Sequence, residues 1–160
     1  MPYFKDSNNA LHFLDSEEFE HLLPTGSVPI TDAEAVEMQK PTATQAKAEK
    51  WNAIKAERDR RKTGGVKVGA KWFHSDDGSR IQQMGLVMMG ASIPANLQWK
   101  TMDGTFITMT QTLASQVFQA VAASDQAIFT VAEQHKAAME ASADPASYDY
   151  STGWPKVYGE

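Results

Sequence analysis

The stretch Lys62-Thr-Gly-Gly-Val-Lys-Val-Gly-Ala-Lys-Trp-Phe-His-Ser-Asp-Asp-Gly-Ser79 decides the fold. Gly64-Gly65 provides the left-handed conformation that ends a helix, so a helix should stop here. Val66-Lys67-Val68 and Lys71-Trp72-Phe73 flank Gly69-Ala70, which suits a two-residue hairpin turn. Asp76 or Ser75 can then accept the free amide groups of a new helix. Eighteen residues thus hold a helix stop, a strand pair and a helix start, with no matching arrangement of reactive groups.

Downstream, Ile81, Met84, Met88 and Ser92 recur at helical spacing and predict one packed face, with Gly85 and Gly90 permitting another backbone to approach closely. Pro94 ends this helix. Leu97-Gln98-Trp99 and Thr105 to Met109 flank Met102-Asp103-Gly104, which predicts a second hairpin that could pair with the first in one antiparallel sheet. From Gln111 to Ser142 a long helix is expected, with a seam at Ala114, Val117, Val121, Ser124, Ile128, Val131, His135 and Ala138, widened by Phe118 and Phe129. Asp144-Pro145 stops it, and the aromatic tail from Tyr148 to Pro155 reads as a strap on a surface.

Upstream, Thr42 with Gln45 fits a capping box that opens a run of good helix formers to Lys62. Its apolar face is thin, Trp51 and Ile54 extended by alanines and the stems of Arg58 and Arg61. Such a helix either lies against a partner or bridges two ends of the molecule. Nearer the start, Tyr3-Phe4-Lys5 and Ala10 to Leu14 flank the turn-prone Asp6-Ser7-Asn8-Asn9 and predict a short hairpin. Asp15 with Glu18 suggests a capped short helix bearing Phe19, Leu22 and Leu23, and Thr31 with Glu34 a second one to about Gln39. The expected fold class is α+β: antiparallel β-hairpins packed with helices, one of them a long C-terminal helix. Its organisation is a small N-terminal hairpin and helix unit over 1–40, a charged connecting helix over 41–63 and an α+β domain over 64–160.

With 160 residues, 42% of them hydrophobic, the chain can bury one modest core and a small satellite. Met1 to Asp6 lacks a basic segment followed by an apolar run, and the apolar cluster Met84 to Ala91 is far shorter than a membrane span. A protein that stays soluble inside a cell is therefore expected. Zero cysteines exclude disulfides, thiolate catalysis and cysteine zinc sites. The net charge of −5 is uneven: residues 1–40 carry two lysines against eight carboxylates, whereas residues 41–80 carry ten basic against five acidic side chains. The basic side chains sit largely on one predicted helix, where a solvated face or pairing with acidic segments explains them better than nucleic-acid binding.

Candidate chemistry is thin. His74-Ser75-Asp76 places three residue types of a hydrolase triad side by side, but adjacent side chains diverge, so capping and turn roles are expected. His12, His21, His74 and His135 include no pair at metal-site spacing, and His135 falls on an apolar seam. Gly64 to Gly69 lacks the lysine followed by Ser or Thr of a phosphate loop, and Asp76-Asp77-Gly78 lacks the downstream glutamate of a calcium loop. No catalytic site, metal or cofactor is therefore expected. Met84, Met88 and Met89 are more suggestive, because flexible thioethers adapt to a partner, although helical spacing also suits a core.

Ile54-Lys-Ala-Glu-Arg-Asp-Arg-Arg61, Gly64-Gly-Val66, Phe73-His-Ser-Asp76, Ser79, Trp99-Lys-Thr-Met-Asp-Gly104 and the alanine-rich helix resemble a domain of unknown function found in tailed-bacteriophage tail proteins. That resemblance covers roughly residues 50 to 142. Tyr3-Phe-Lys-Asp6, Asp15-Ser-Glu-Glu18, Leu23-Pro24 and Pro29-Ile-Thr31 resemble the start of tail fibre assembly proteins, which often carry this domain. The resemblance implies a tail fibre chaperone that binds the distal part of a trimeric fibre and aids its folding or trimerisation. It implies no catalytic residue. The alternative is a virion structural component retained at the fibre tip or baseplate. The expected partner is the tail fibre protein, with baseplate or other tail proteins as further candidates. Self-association through Val121, Ile128 and His135 remains open, and neither a membrane nor nucleic acid is expected. The host cytoplasm during assembly, or the virion tail thereafter, is the implied location. Partner contact is expected at exposed aromatic, methionine and basic-helix side chains: Trp51, Arg58, Arg61, Trp72, Met88, Met89 and Trp154.

Overall fold

A computed structural model describes residues 3–160, so Met1 and Pro2, with the part of the expected N-terminal unit and leader reading that falls on them, lie outside the described residues. Two compact units divide between Gln45 and Ala46. In the first, β1 (Tyr3–Lys5) pairs antiparallel with β2 (Leu11–Phe13) on one side and with β3 (Val28–Ile30) on the other. The hairpin is turned by Asp6, whose carboxylate accepts the Asn8 and Ala10 amides, and by Asn9 at φ 61°. β3 was not expected. Pro29 marks it as an edge strand, because proline offers no donor to a further neighbour. The segment after Asp15 is a 3-10 helix, Glu17–Leu22, capped by Ser16 rather than Asp15, and its Phe19 and Leu22 are exposed instead of forming a packed stripe. α1 (Asp32–Gln39) has the expected Thr31–Glu34 capping box, and Ala35 joins Phe4 and Leu14 among the buried residues of this unit.

The second unit is α+β and is organised by α4 (Gln111–Ala141), capped by Thr110. α2 (Ala43–Lys62) begins at the Thr42–Gln45 capping pair and packs Ile54 against Ala132 and Met139 of α4, so the thin-faced helix lies along a neighbour within its own chain. The chain turns at Gly64-Gly65 into β4 (Val66–Val68) and β5 (Lys71–Phe73). Gly65 has φ +91°, and a Cβ there would fall 2.2 Å from the Met102 sulfur, so only glycine fits. β6 (Gln98–Lys100) and β7 (Phe106–Thr108) form the second hairpin. The two hairpins are separate two-stranded sheets, not the one sheet they could have formed: Lys71 bonds Asp103 and Thr105 across the gap, and the backbone contributes the Met102 N–H donating to Trp72 O at 2.9 Å. Beyond that bond, β5 leaves for the helix start at Asp76, and the ladder cannot continue.

Two further corrections concern helix faces. α3 (Asp77–Met89), capped by Asp76, buries Gln83 and Leu86, while Ile81, Met84 and Met88 are 67%, 47% and 80% exposed. The expected packed face is therefore an outer one. Gly85 admits no close backbone, since a Cβ there would meet nothing within 4 Å. In α4 the buried line runs Ala114, Val117, Val121, Ile128, Ala132 and Met139, and Ala138 is exposed. An α-helix drifts by roughly 20° per heptad against a strict 3.5-residue repeat, so over four heptads the stripe slips by one residue, from Val131 and Ala138 to Ala132 and Met139. The main core gathers Val66, Phe73, Leu86, Met109, Ala114, Val117 and Val121 around the first half of α4.

Candidate interaction surfaces

The sequence-predicted contact residues divide into two groups. Arg61 has a side chain only 9% exposed: it donates to Pro155 O at 2.9 Å and to Glu160 at 3.0 Å, pairs with Glu57, and lies 5.6 Å from the Trp154 ring centroid. Trp154 donates through its indole N–H to Tyr150 O at 2.7 Å and lies against His135. The His135 Nε2 faces Thr152 O at 2.9 Å, so Nε2 must carry the proton there, and Nδ1 meets the Tyr148 hydroxyl at 2.9 Å. Arg58 stacks over Phe129 at 4.7 Å, and the ammonium groups of Lys55 and Lys136 lie over the Trp51 ring. Trp72 meets Tyr158 edge to face at 6.1 Å. Trp51, Arg58, Arg61, Trp72 and Trp154 thus hold the chain's own helices and tail together. Met88 and Met89 alone of the predicted set are exposed to solvent.

Electrostatics in this region stabilise the tail. Arg60 first, and Arg61 with it, hold the Glu57 carboxyl down to about 2 from an ordinary 4.5. His74, Ser75 and Asp76 do not converge. Ser75 is buried, donates to Lys62 O at 2.7 Å and accepts the Gly65 amide, and Asp76 caps α3 through the Ser79 amide and hydroxyl. Arg80 completes this corner with a bidentate pair to Asp125 on α4 and a bond to Lys62 O. These groups tie the end of α2 to α3 and α4. Among the described residues no three His, Asp or Glu side chains gather where they could hold a metal ion, and no helix is long and apolar enough to cross a membrane.

In the second unit an exposed apolar surface lies on α3 and its flanks. On one side Ile81 and Met84 border a groove of about 350 Å³ with Phe118, Val121 and Ala122 of α4, walled by the Arg80–Asp125 pair. On the other, Gly85, Leu86 and Met89 border a groove of about 800 Å³ with Leu97, Trp99 and Phe106, and with His74, Gln82 and Lys100 among the polar groups. Ile81, Met84, Phe106 and Phe118 were missed as surface residues. Helical spacing marks Ile81 and Met84 as a stripe but cannot say which stripe is buried, and polar Gln83 hides the true inner face, where its amide donates to His74 O.

The second unit, a long helix with two separate hairpins and a helix that exposes apolar side chains, places the protein among small α+β folds. Residues 45–152 match the family described as Domain of unknown function (DUF4376), and the chain belongs to that family. No curated protein and no solved structure matches the chain.

Proposed function

We propose that this protein is an assembly helper of a tailed bacteriophage, binding the distal part of a tail fibre protein to aid its folding or trimerisation. The observation that carries the reading is the outer face of α3, where Ile81, Met84 and Met88 stand exposed, the first two of them beside Phe118. Together these side chains form an apolar surface of the kind that marks a protein contact, and methionine lets it adapt to a folding partner. The resemblance of residues 3–31 to the start of tail fibre assembly proteins supports a fibre protein as the partner. Co-expression with the fibre protein tests it: soluble trimer yield should rise with this protein and fall back with Ile81→Asp/Met84→Asp/Met88→Asp. Equal yields with and without the protein would sink the reading. Mass spectrometry of purified particles separates a transient helper, absent from them, from a retained tip or baseplate component, present in fixed ratio.

A further inference from the structure

The larger groove runs beside a strand whose edge is unpaired. In the second hairpin the Thr101 amide donates to Thr105 O and the Met109 amide to Leu97 O, both at 2.8 Å. Backbone groups alternate sides along an antiparallel strand, so Leu97, Trp99 and Thr101 turn theirs toward β7 while Gln98, Lys100 and Met102 turn theirs away from it. Met102 uses its outward amide on Trp72 O. Gln98 and Lys100 come next in that row, and among the described residues no strand pairs with β6 on this side. β5 ends at Phe73, and the His74 carbonyl beyond it accepts the Gln83 side-chain amide, so it is not spent on β6. A ladder therefore starts at Met102 and breaks off into an open cleft.

Leu97, just before β6, lines the cleft together with Gln98, Trp99 and Lys100, so it runs along that strand. Across it stand Gly85, Leu86 and Met89 of α3, and Phe106 adds a 63% exposed ring. Exposed strand edges are commonly blunted by shortness and charge, and Lys100 is such a charge. This edge differs in lying against an apolar wall, with free space above Gly85 where any side chain would intrude.

We propose that the groove between α3 and the open edge of β6 binds an extended peptide segment of a protein partner by strand addition. The peptide backbone continues the ladder from Met102 by pairing with Lys100 and Gln98, and its alternate side chains fall against Leu86, Met89, Trp99 and Phe106. The inference deepens the reading above and rests on it only for the source of the peptide, since a fibre segment would be one such strand.

The test uses the full chain, isotopically labelled, titrated with the synthetic peptide acetyl-(Thr-Val)4-amide while amide resonances are followed. Shifts should saturate at Gln98, Lys100 and the residues around Gly85, and N-methylation of alternate peptide bonds should weaken binding at least about tenfold, because hydrogen bonds to the peptide backbone carry the recognition. Gly85→Leu, which favours the helix and projects into the groove, should keep the native spectrum and lose the titration. No shifts at Gln98 and Lys100, or equal binding by the N-methylated peptide, would overturn the proposal. So would concentration-dependent shifts there without peptide together with a dimer in sedimentation, which would assign the edge to a second copy. No fibre protein enters this experiment, so its failure leaves the co-expression result standing on its own.

Discussion

Along its first half α4 buries Ala114, Val117 and Val121 in a cluster with Phe73, Leu86, Val66 and Met109, with further apolar side chains packed around it. Along its second half Ile128, Ala132 and Met139 are buried, the last two in a small cluster with Ile54, and the rest of that end is made by Trp51, Tyr148, Tyr150, Trp154 and the polar groups of Arg61, Glu57, His135 and Glu160. Apolar burial is non-directional and scales with area, so the first end is a core that tolerates little loss. The second end is directional: each polar contact is worth about 1 kcal/mol net, and several share the task. Such a region should open locally while the core stays closed.

That contrast can be broken from either side. Phe73→Ala should cost about 3–5 kcal/mol and unfold the second unit cooperatively, as measured by denaturant melts. A smaller loss, about 1–3 kcal/mol, is expected from Gly65→Val, because φ +91° is strained for a branched residue and the Met102 sulfur occupies the space. Arg61→Met should raise hydrogen exchange in residues 145–160 while the amides of β4 to β7 keep their protection, at a cost of about 1–2 kcal/mol. If exchange rose equally in both regions, the two ends would be one cooperative unit and the distinction would fail.

Acid gives a graded version of the same test. The folded carboxyl of Glu57 titrates at about 2, below its ordinary 4.5, so its contribution is complete above pH 4.5 and is lost as pH falls through about 2. Protection of the 145–160 segment should therefore decline across that window, and Glu57→Gln should flatten the dependence. The smallest effect is expected at Met88→Glu: on an 80% exposed side chain it should move stability by less than about 0.5 kcal/mol. A large loss there would mean that this face packs against something in the folded chain.

Local elements were legible because their causes are local. The Thr31–Glu34 capping box, the Asp76 cap, the Gly64-Gly65 stop and the Asp103-Gly104 turn each depend on groups a few residues apart, and each formed where it was expected. The tail was read as a strap, and His135, Trp154 and Arg61 show what fastens it. Of the residues expected at a partner contact, Met88 and Met89 are exposed, whereas the aromatic and arginine side chains named with them engage the molecule's own contacts. A tryptophan or arginine suits an intramolecular clamp and a partner interface equally well, so residue type alone cannot separate them.

What the sequence by itself determined is where α1, α2 and the hairpins lie and where α3 and α4 begin, and that the chain is α+β. The tertiary structure alone decided which stripe of α3 faces inward, that the hairpins stay apart, and that β3 joins β1. The reason is physical: caps and turns are settled by hydrogen bonds within a few residues, whereas burial depends on which distant surfaces meet. Gln83 lies inside, where its amide donates to His74 O while its Oε1 stays without a partner among the described residues, and Ile81 lies outside because no described part of the chain arrives to cover it.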